Sequence, residues 1–417
     1  MSKRLMRKIL PGGLPLSEKV LGTKDIFAMI LRTAWAYKRT IRYLLRKRGV
    51  KAAINFLFVK VFVPIGEGSG AAAFFLLGPL IRRFPQLAPY PYNIEIEITT
   101  RCNKRCIICE HTYWNEPSID LPFNDFKKIV DQIPKLKWVN LTGEGDAFLN
   151  KDYLKMIRYL KSKNIPVYLV DSFDLIDEKI AEELVKIGVD GIYVSFDGAT
   201  KETYEKIKAG CSFERSLKNI KNLVELKKKM NSPIPELCFR YVVTTANVHE
   251  MPNFVELVSS IGDRESLGDG SRIEYCGLLV FDEIKHFYVP KIPENILKVT
   301  ITKKRKHKVD VLFCHTEPYM FPPLNNCLAW MEPYIMMGGY VLPCCAVLMS
   351  NKRSFLRKHS FGNILKTPFK DMWYSERYKR FRYTVNKPNA KVPLLCKGCR
   401  AYDTTEREQK YGVDVTL

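Results

Sequence analysis

The sequence predicts an α/β fold in which parallel strands alternate with helices, preceded by a basic helical region and followed by a smaller C-terminal region. Between residues 92 and 261, apolar runs of strand length alternate with segments of helical periodicity. Residues 1–90 show no such alternation, and the last third of the chain is marked by recurring cysteines. Strands that alternate with helices imply a parallel sheet with right-handed crossovers. We therefore expect domains at residues 1–90, 91–300 and 301–417.

The predicted strands are short and rich in apolar residues, and the first alternates apolar with polar side chains. They cover residues 92–98, 138–142, 167–170, 191–196 and 237–243. The predicted helices carry apolar residues three or four positions apart, as at Leu154, Ile157 and Leu160. They cover residues 151–163, 178–187, 216–230 and 251–261.

Three cysteines follow the first predicted strand at the spacing C-x3-C-x2-C: Cys102, Cys106 and Cys109. Parallel α/β barrels place their chemistry in the loops that follow the carboxyl ends of their strands. Three thiolates within eight residues can hold a [4Fe–4S] cluster and leave one iron open for a small molecule. The loop is therefore predicted to hold a cluster with an open coordination position.

Two other uses of these cysteines are weighed against the cluster. Zinc also binds clustered cysteines, and His111 is close enough in sequence to be a fourth ligand. A disulfide framework is disfavoured, because 12 cysteines in 417 residues is a low density for a disulfide-stabilised protein. No signal peptide is expected, since Pro11, Gly12 and Gly13 interrupt the segment after the basic start. The thiols are thus expected to be reduced.

With its neighbouring motifs, the cysteine loop resembles that of the radical S-adenosylmethionine (SAM) enzymes. The other matching segments are residues 143–146 (GEGD), 195–198 (SFDG), 204–213 (YEKIKAGCSF) and 242–250 (VVTTANVHE). The resemblance implies a partial (β/α)6 TIM-like barrel. It also implies an enzyme that cleaves SAM reductively to a 5′-deoxyadenosyl radical, which abstracts hydrogen from an unactivated C–H bond.

The same resemblance implies which residues contact SAM, although it singles out no catalytic residue. The implied contacts are Gly143, Glu144, Gly145, Asp146, Ser172, Ser195, Asp197 and Lys208. Several positions depart from the family pattern: Ala147 replaces a proline, Ile108 replaces an aromatic residue, and Lys208 replaces an arginine. Residues 171–173 (DSF) replace a Thr-Asn-Gly motif expected after the fourth strand, and residues 195–198 are expected after the fifth.

Four cysteines in the C-terminal third resemble the ligands of the auxiliary-cluster extension known as SPASM, or Twitch in its shorter form. They are Cys327, Cys344, Cys396 and Cys399, which resemble the set for one auxiliary [4Fe–4S] cluster. Four thiolates would complete that cluster, which favours a role in electron transfer or structure. Zinc and buried core cysteines are the alternatives. Cys345 or Cys314 could replace one of the ligands.

The N-terminal region is strongly basic: residues 1–92 contain 17 Lys and Arg against 3 Asp and Glu, in a chain of net charge +23. Residues 25–50 are predicted to form an amphipathic helix with an apolar face and an arginine-bearing face. The apolar run over residues 71–81 is too short to span a bilayer. We expect the region to lie at the cytoplasmic membrane surface. A helical cap on the barrel, or binding to nucleic acid or another acidic partner, are the alternatives.

Two functions compete at this stage. The first is hydrogen abstraction from a membrane lipid or isoprenoid chain, leading to C–C bond formation or a similar outcome, by an enzyme peripheral to the membrane. The second is a SPASM-type maturase that modifies a ribosomal peptide or protein, although residues 1–90 lack the pattern of a winged-helix leader-binding domain. Either needs a low-potential electron donor such as ferredoxin or flavodoxin. Nucleic acid is not expected as a partner, and the chain is not expected to be a non-catalytic scaffold.

Overall fold

The computed structural model describes residues 31, 34–35, 37–62, 83–84, 87–142, 144–261, 272–314, 323–324, 327, 329–347, 352–399 and 402–417. Its strands are β1 (Asn93–Glu97), β2 (Trp138–Thr142), β3 (Val167–Asp171), β4 (Gly191–Ser195), β5 (Glu236–Val243), β6 (Arg272–Gly277), β7 (Asp310–Cys314), β8 (Tyr334–Met336), β9 (Tyr340–Leu342), β10 (Val392–Pro393) and β11 (Val413–Asp414).

The described helices alternate with these strands as the sequence predicts. They are α1 (Lys38–Arg48), α2 (Val50–Phe62), α3 (Phe123–Asp131), α4 (Tyr153–Ser162), α5 (Glu178–Ile187), α6 (Lys201–Ile207), α7 (Phe213–Lys229), α8 (Met251–Ile261), α9 (Glu294–His307), α10 (Arg353–His359), α11 (Phe369–Trp373), α12 (Glu376–Val385) and α13 (Thr405–Tyr411). The helices over residues 178–187 and 251–261 have their predicted bounds.

One sheet of nine strands contains the core, in the order β7-β6-β5-β4-β3-β2-β1-β8-β9. Strands β1 to β7 are all parallel to their neighbours, so the predicted α/β class is confirmed. Strand β7 adds a seventh parallel strand to the six that the resemblance implied. The C-terminal region joins the same sheet, because β8 pairs in parallel with β1 and β9 pairs antiparallel with β8. Helix α9 crosses residue 300, and the domain limits at residues 90 and 300 remain proposals.

The two faces of the barrel strands differ in chemistry. In β1, Ile94 and Ile96 point into the main hydrophobic core with the helices, whereas Glu95 and Glu97 lie on the other face. The strand register carries that second face around the barrel, and we call it the lumen face. Its members include Asn93, Glu95, Glu97, Asn140, Tyr168, Tyr193, Cys238, Arg240, Glu274, Cys276 and Tyr334.

The N-terminal helices close one end of this lumen. Val59 of α2 packs against Trp138, Tyr168 and Tyr193 on the lumen face, and Lys60 forms an ion pair with Glu236 at the start of β5. The helix predicted over residues 25–50 ends at Arg48 in the structure, and its first residues lie outside the described ranges. The run over residues 71–81 also lies outside them. In the part of the chain that is described, no helix is both long and apolar enough to cross a membrane.

Candidate functional site

The loop that carries Cys102, Cys106 and Cys109 leaves the carboxyl end of β1 and is held against the segment that follows α6. The amide of Arg105 donates to the carbonyl of Ala209 at 2.8 Å, and the amide of Ile107 donates to the carbonyl of Ile207 at 2.9 Å. Inside the loop, the amide of Cys109 donates to the carbonyl of Cys106 at 3.1 Å. These bonds fix the path of the cysteine loop at the carboxyl end of β1.

Gly210 permits this close approach of the loop and the segment after α6. Its φ of +96° belongs to the region that favours glycine. A Cβ at this position would stand 3.2 Å from the carbonyl oxygen of Asn103 and 3.3 Å from the Cα of Lys104. Glycine is therefore required at this position of the motif over residues 204–213, because it lets the cysteine loop pack directly on the backbone of Gly210.

The three thiols are partly buried and lie close enough to influence one another electrostatically. Burial raises the pKa of the Cys109 thiol well above its ordinary value, and Glu144 and Cys106 add to that increase. A thiol with a raised pKa loses its proton when it binds a metal, because the thiolate is the form that ligates iron. The donor set and its partial exposure therefore fit a three-thiolate cluster with an open iron.

His111 does not complete a tetrahedral zinc site in this structure. Its Nε2 lies 2.9 Å from the carbonyl oxygen of Thr100, and its ring packs on Trp114 with the centroids 4.7 Å apart. Among the described side chains, no three of His, Cys, Asp or Glu are grouped closely enough to share a single ion. A cubane binds each thiolate to a different iron, so its ligands stand farther apart than those of one ion.

The glycine-rich segment after β2 lies directly beside the cysteine loop. Gly143 lies outside the described residues. A Cβ on Gly145 would be 2.5 Å from the carbonyl oxygen of Arg101 and 2.6 Å from that of Thr99, so only glycine fits there. Asp146 is buried and forms an ion pair with Lys104, a residue of the cysteine loop that sequence reasoning missed. This pair joins the glycine-rich segment to the loop, and Glu144 of the same segment acts electrostatically on the Cys109 thiol.

The predicted contacts after the next two strands also converge on the barrel mouth. Lys208 donates to the Ser195 hydroxyl at 2.6 Å and forms an ion pair with Asp197 at 2.8 Å. Burial works to lower the pKa of Lys208, but Asp197 outweighs it and the pKa ends above its ordinary value, so the ammonium stays charged. Ser172 is buried, with the Cys211 thiol 3.9 Å from its hydroxyl.

The strand numbering predicted for these motifs was wrong by one. Ser195 ends β4, whereas the resemblance implied the fifth strand, and Asp171 ends β3, whereas it implied the fourth. The order of the motifs is unaffected. Asp171 is itself buried, and burial, together with Asp146, raises its pKa to about 7. It is a further buried carboxyl of this mouth, beside Asp146 and Asp197, and sequence reasoning did not single it out.

The four C-terminal cysteines predicted as auxiliary ligands line one cavity. Its walls comprise Leu324, Cys327, Ala329, Trp330, Pro343, Cys344, Ala346, Val347, Phe381, Cys396, Cys399 and Tyr402. Four thiols facing one largely apolar space fit a cluster that protein ligands complete. Cys345 is not in this wall: its side chain hydrogen-bonds with Glu95 on the lumen face, and burial raises the pKa of its thiol well above the ordinary value. Cys314 belongs to β7 and lies opposite Cys276 of β6 in the strand register. Its side chain lies outside the described part of the chain.

A partial barrel with three thiols at its mouth and a separate four-thiol cavity fits an iron–sulfur enzyme. Comparison with protein-family models identifies the class of enzyme. Residues 96–258 match the radical SAM superfamily, and residues 327–400 match the SPASM iron–sulfur cluster-binding domain. The chain belongs to the radical SAM enzymes and carries a SPASM domain. Its cofactors are accordingly SAM, a SAM-binding [4Fe–4S] cluster and an auxiliary cluster.

Similar proteins support this assignment. A Pyrococcus furiosus protein, the tungsten-containing aldehyde ferredoxin oxidoreductase cofactor-modifying protein, is 26% identical over 346 residues, which are 77% of this chain and 90% of the relative. The AdoMet-dependent heme synthase of Methanosarcina barkeri is 22% identical over 336 residues, 75% of this chain and 91% of the relative. The fold is similar to that of Streptococcus suis SuiB bound to SAM, with a TM-score of 0.60, 14% identity, and coverage of 95% of this chain and 93% of SuiB.

Proposed function

We propose that this enzyme abstracts a hydrogen atom from a peptide or protein side chain that enters the barrel through its mouth. The observation that carries the proposal is the polar lumen face. The hydroxyls of Tyr168, Tyr193 and Tyr334 and the amide oxygen of Asn140 are buried without a hydrogen-bond partner among the described residues. Buried polar groups without partners are costly, so these atoms are suited to a substrate that offers hydrogen bonds. A saturated alkyl chain offers none.

In this proposal the chain's own residues bind and enclose the reactants. Cys102, Cys106 and Cys109 would hold the cluster, and the segment around Gly145 would lie against SAM. When bound, cluster and SAM supply a primary-carbon radical after one-electron reduction. Val59 and the other residues of α2 that close the far end of the lumen limit access of water to that radical. A low-potential donor such as ferredoxin or flavodoxin is proposed to supply the electron.

A protein of similar fold has been observed with a bound peptide. One of the similar solved structures is SuiB bound to precursor peptide SuiA, with a TM-score of 0.59 and 14% identity over 95% of this chain. A likeness at this identity concerns the fold, so the substrate class rests on the lumen face of this chain.

Isotope transfer tests the proposal directly. The anaerobically reconstituted enzyme is incubated with SAM, a reductant and either a perdeuterated peptide pool or a perdeuterated lipid extract, and 5′-deoxyadenosine is analysed by mass spectrometry. We expect deuterium in the nucleoside with the peptide pool, and none from a Cys106→Ala variant that lacks a cluster ligand. Transfer from the lipid extract alone would refute the peptide class and favour the lipid or isoprenoid substrate.

A second proposal is that the N-terminal helices dock the enzyme on an anionic membrane surface. Trp35 and Ile54 are 72% and 61% exposed, and Leu31, Leu45 and Val50 are also exposed. Residues 31–62 contain nine Lys and Arg and no Asp or Glu. Exposed apolar side chains among basic ones suit the headgroup region of a membrane. This observation favours peripheral membrane attachment and keeps a lipid substrate as the second candidate.

Liposome co-sedimentation tests the docking. The full chain is mixed with vesicles of phosphatidylglycerol and phosphatidylethanolamine, or of phosphatidylcholine alone. We expect pelleting with the anionic vesicles and its loss in the double variant Trp35→Ser/Ile54→Ser. Val415→Ser is the matched control, because Val415 is 69% exposed at the other end of the chain. Equal pelleting of all three proteins would contradict docking through this surface.

A further inference from the structure

The lumen face contains one carboxyl group that no cation of the described chain neutralises. Glu95 lies in the middle of β1 and is buried, yet it forms no ion pair with any described residue within 4.0 Å. Its neighbours across the sheet are Asn140 on β2 and Tyr334 on β8. Burial raises its pKa to about 7, with Cys345 and Arg240 too weak to offset that effect. Apart from the hydrogen bond with the Cys345 thiol, this carboxyl has no directly bonded partner among the described residues that stabilises its charge.

The cations near the lumen are already matched with other acids. Arg353 donates to the Oε2 of Glu97 at 2.6 Å, and Arg240 donates to Glu274 at 3.2 Å. Lys60 is paired with Glu236 at the closed end. Each of these pairs is neutral, so the charge that remains when Glu95 ionises is negative.

Independent of this charge, several buried polar atoms around Glu95 have no partner among the described residues. The Oε1 of Glu97 is one, on a side chain that is only 1% exposed. The Tyr334 hydroxyl and the Asn140 amide oxygen are two others, and they belong to the residues paired with Glu95 in the sheet. Together with the Glu95 carboxylate they offer several acceptors to one donor-rich group.

We propose that this part of the lumen face, formed by Glu95, Glu97, Asn140 and Tyr334, binds the ammonium or guanidinium group of a peptide side chain. A cationic nitrogen group carries three or more N–H donors, which matches the unpartnered acceptors, and its charge matches the unpaired carboxyl. The inference rests on the proposed function and makes it specific: the substrate side chain is lysine or arginine, and these residues determine that choice.

Equilibrium binding of short peptides tests the inference without turnover. The holoenzyme with SAM, but without reductant, is titrated calorimetrically with acetyl-Gly-Lys-Gly-amide and with the neutral analogue acetyl-Gly-norleucine-Gly-amide. We expect the lysine peptide to bind roughly 10- to 100-fold more tightly, as for hydrogen bonds to a charged group. Glu95→Gln should reduce that preference to less than about threefold, and Tyr334→Phe should reduce it in part. Glu376→Gln, whose carboxylate is on the surface, should retain it in full.

The outcomes separate this inference from the proposed function. If the perdeuterated peptide pool transfers deuterium but the lysine and norleucine peptides bind equally well, the cation site is refuted while peptide modification stands. If no peptide pool transfers deuterium, the proposed function fails regardless of these affinities. Should Glu95→Gln not fold, Tyr334→Phe still decides the matter: an unchanged lysine preference in that variant, with the same thermal stability as the wild type, refutes the assigned site.

Discussion

The contact between Gly210 and the cysteine loop leads to a sharp prediction about the first cluster. In Gly210→Ala, the residue must adopt a φ near +96°, which costs about 1–2 kcal/mol for a non-glycine residue. Its Cβ also stands 3.2 Å from the carbonyl oxygen of Asn103, so the loop must retreat by a few tenths of an ångström. That movement weakens the hydrogen bonds from Arg105 and Ile107 to the neighbouring segment, each of which contributes about 0.5–1.5 kcal/mol.

The combined cost of about 2–4 kcal/mol would lower cluster affinity at the first site by roughly 30- to 1,000-fold. The assay is iron and sulfide counting after reconstitution, followed by challenge with an iron chelator. We expect the variant to fall from about eight irons towards about four, since two cubanes hold eight and the auxiliary site is untouched.

Gly49→Ala is the control for backbone strain alone. Its φ is +83°, and a Cβ there would meet no atom within 4 Å. We expect this variant to lose some thermal stability while it retains about eight irons. If Gly210→Ala resists the chelator as well as Gly49→Ala does, the contact with the loop does not control the cluster site and the reasoning is wrong.

Three further substitutions test other parts of the structure. Arg353→Met leaves the buried carboxylate of Glu97 without its ion-pair partner and should lower the free energy of unfolding by about 3–5 kcal/mol in denaturant titrations; adding Glu97→Gln should recover most of the loss. Glu95→Gln should alter the pH dependence of the free energy of unfolding. Folding raises the pKa of the Glu95 carboxyl from 4.5 to about 7, so the folded protein binds the carboxyl proton more tightly than the unfolded chain does. The free energy of unfolding of the wild type should therefore fall by about 3 kcal/mol as the pH rises from 4.5 to about 7. A wild-type curve as flat as that of Glu95→Gln would contradict this. Cys344→Ala should reduce reconstituted iron from about eight to about four, whereas Cys345→Ala should leave it unchanged; equal losses would make Cys345 a ligand.

The parts of the site that sequence reasoning predicted are those that local spacing determines. Cys102, Cys106 and Cys109 lie within one loop, so their spacing alone indicates that they can share a cluster. The parallel sheet then brings Gly145, Ser195 and Lys208 to the same mouth, because parallel strands present their carboxyl ends at one edge. The identity of the ion pairs was not predictable. Lys104 reaches Asp146 across 42 positions, and no local pattern reveals that contact.

The sequence predicted only part of the lumen face. The alternation in β1 shows that Glu95 and Glu97 share one face, but it does not show whether that face meets water or the barrel interior. The residue opposite Glu95 on the neighbouring strand shows that this face meets the barrel interior. That residue is Tyr334, which lies more than 200 positions away and reaches β1 because the C-terminal region contributes β8 to the barrel sheet. Such long-range pairing depends on tertiary structure, and for that reason sequence reasoning treated Cys345 as a possible replacement for one of the auxiliary ligands.

The N-terminal helices show why the membrane question requires surface substitutions. Sequence reasoning treated the region as a segment at the membrane surface, a cap on the barrel, or a binding region for nucleic acid or another acidic partner. Truncation near Tyr90 would be the simplest test. In the structure α2 closes the lumen through Val59 and pairs Lys60 with Glu236, so truncation would admit water to the barrel and leave a buried carboxylate without its partner. Loss of activity in such a protein would say nothing about membranes. The exposed side chains of Trp35 and Ile54 lie apart from those contacts, so substituting them changes the outer surface while the closed end of the lumen stays intact.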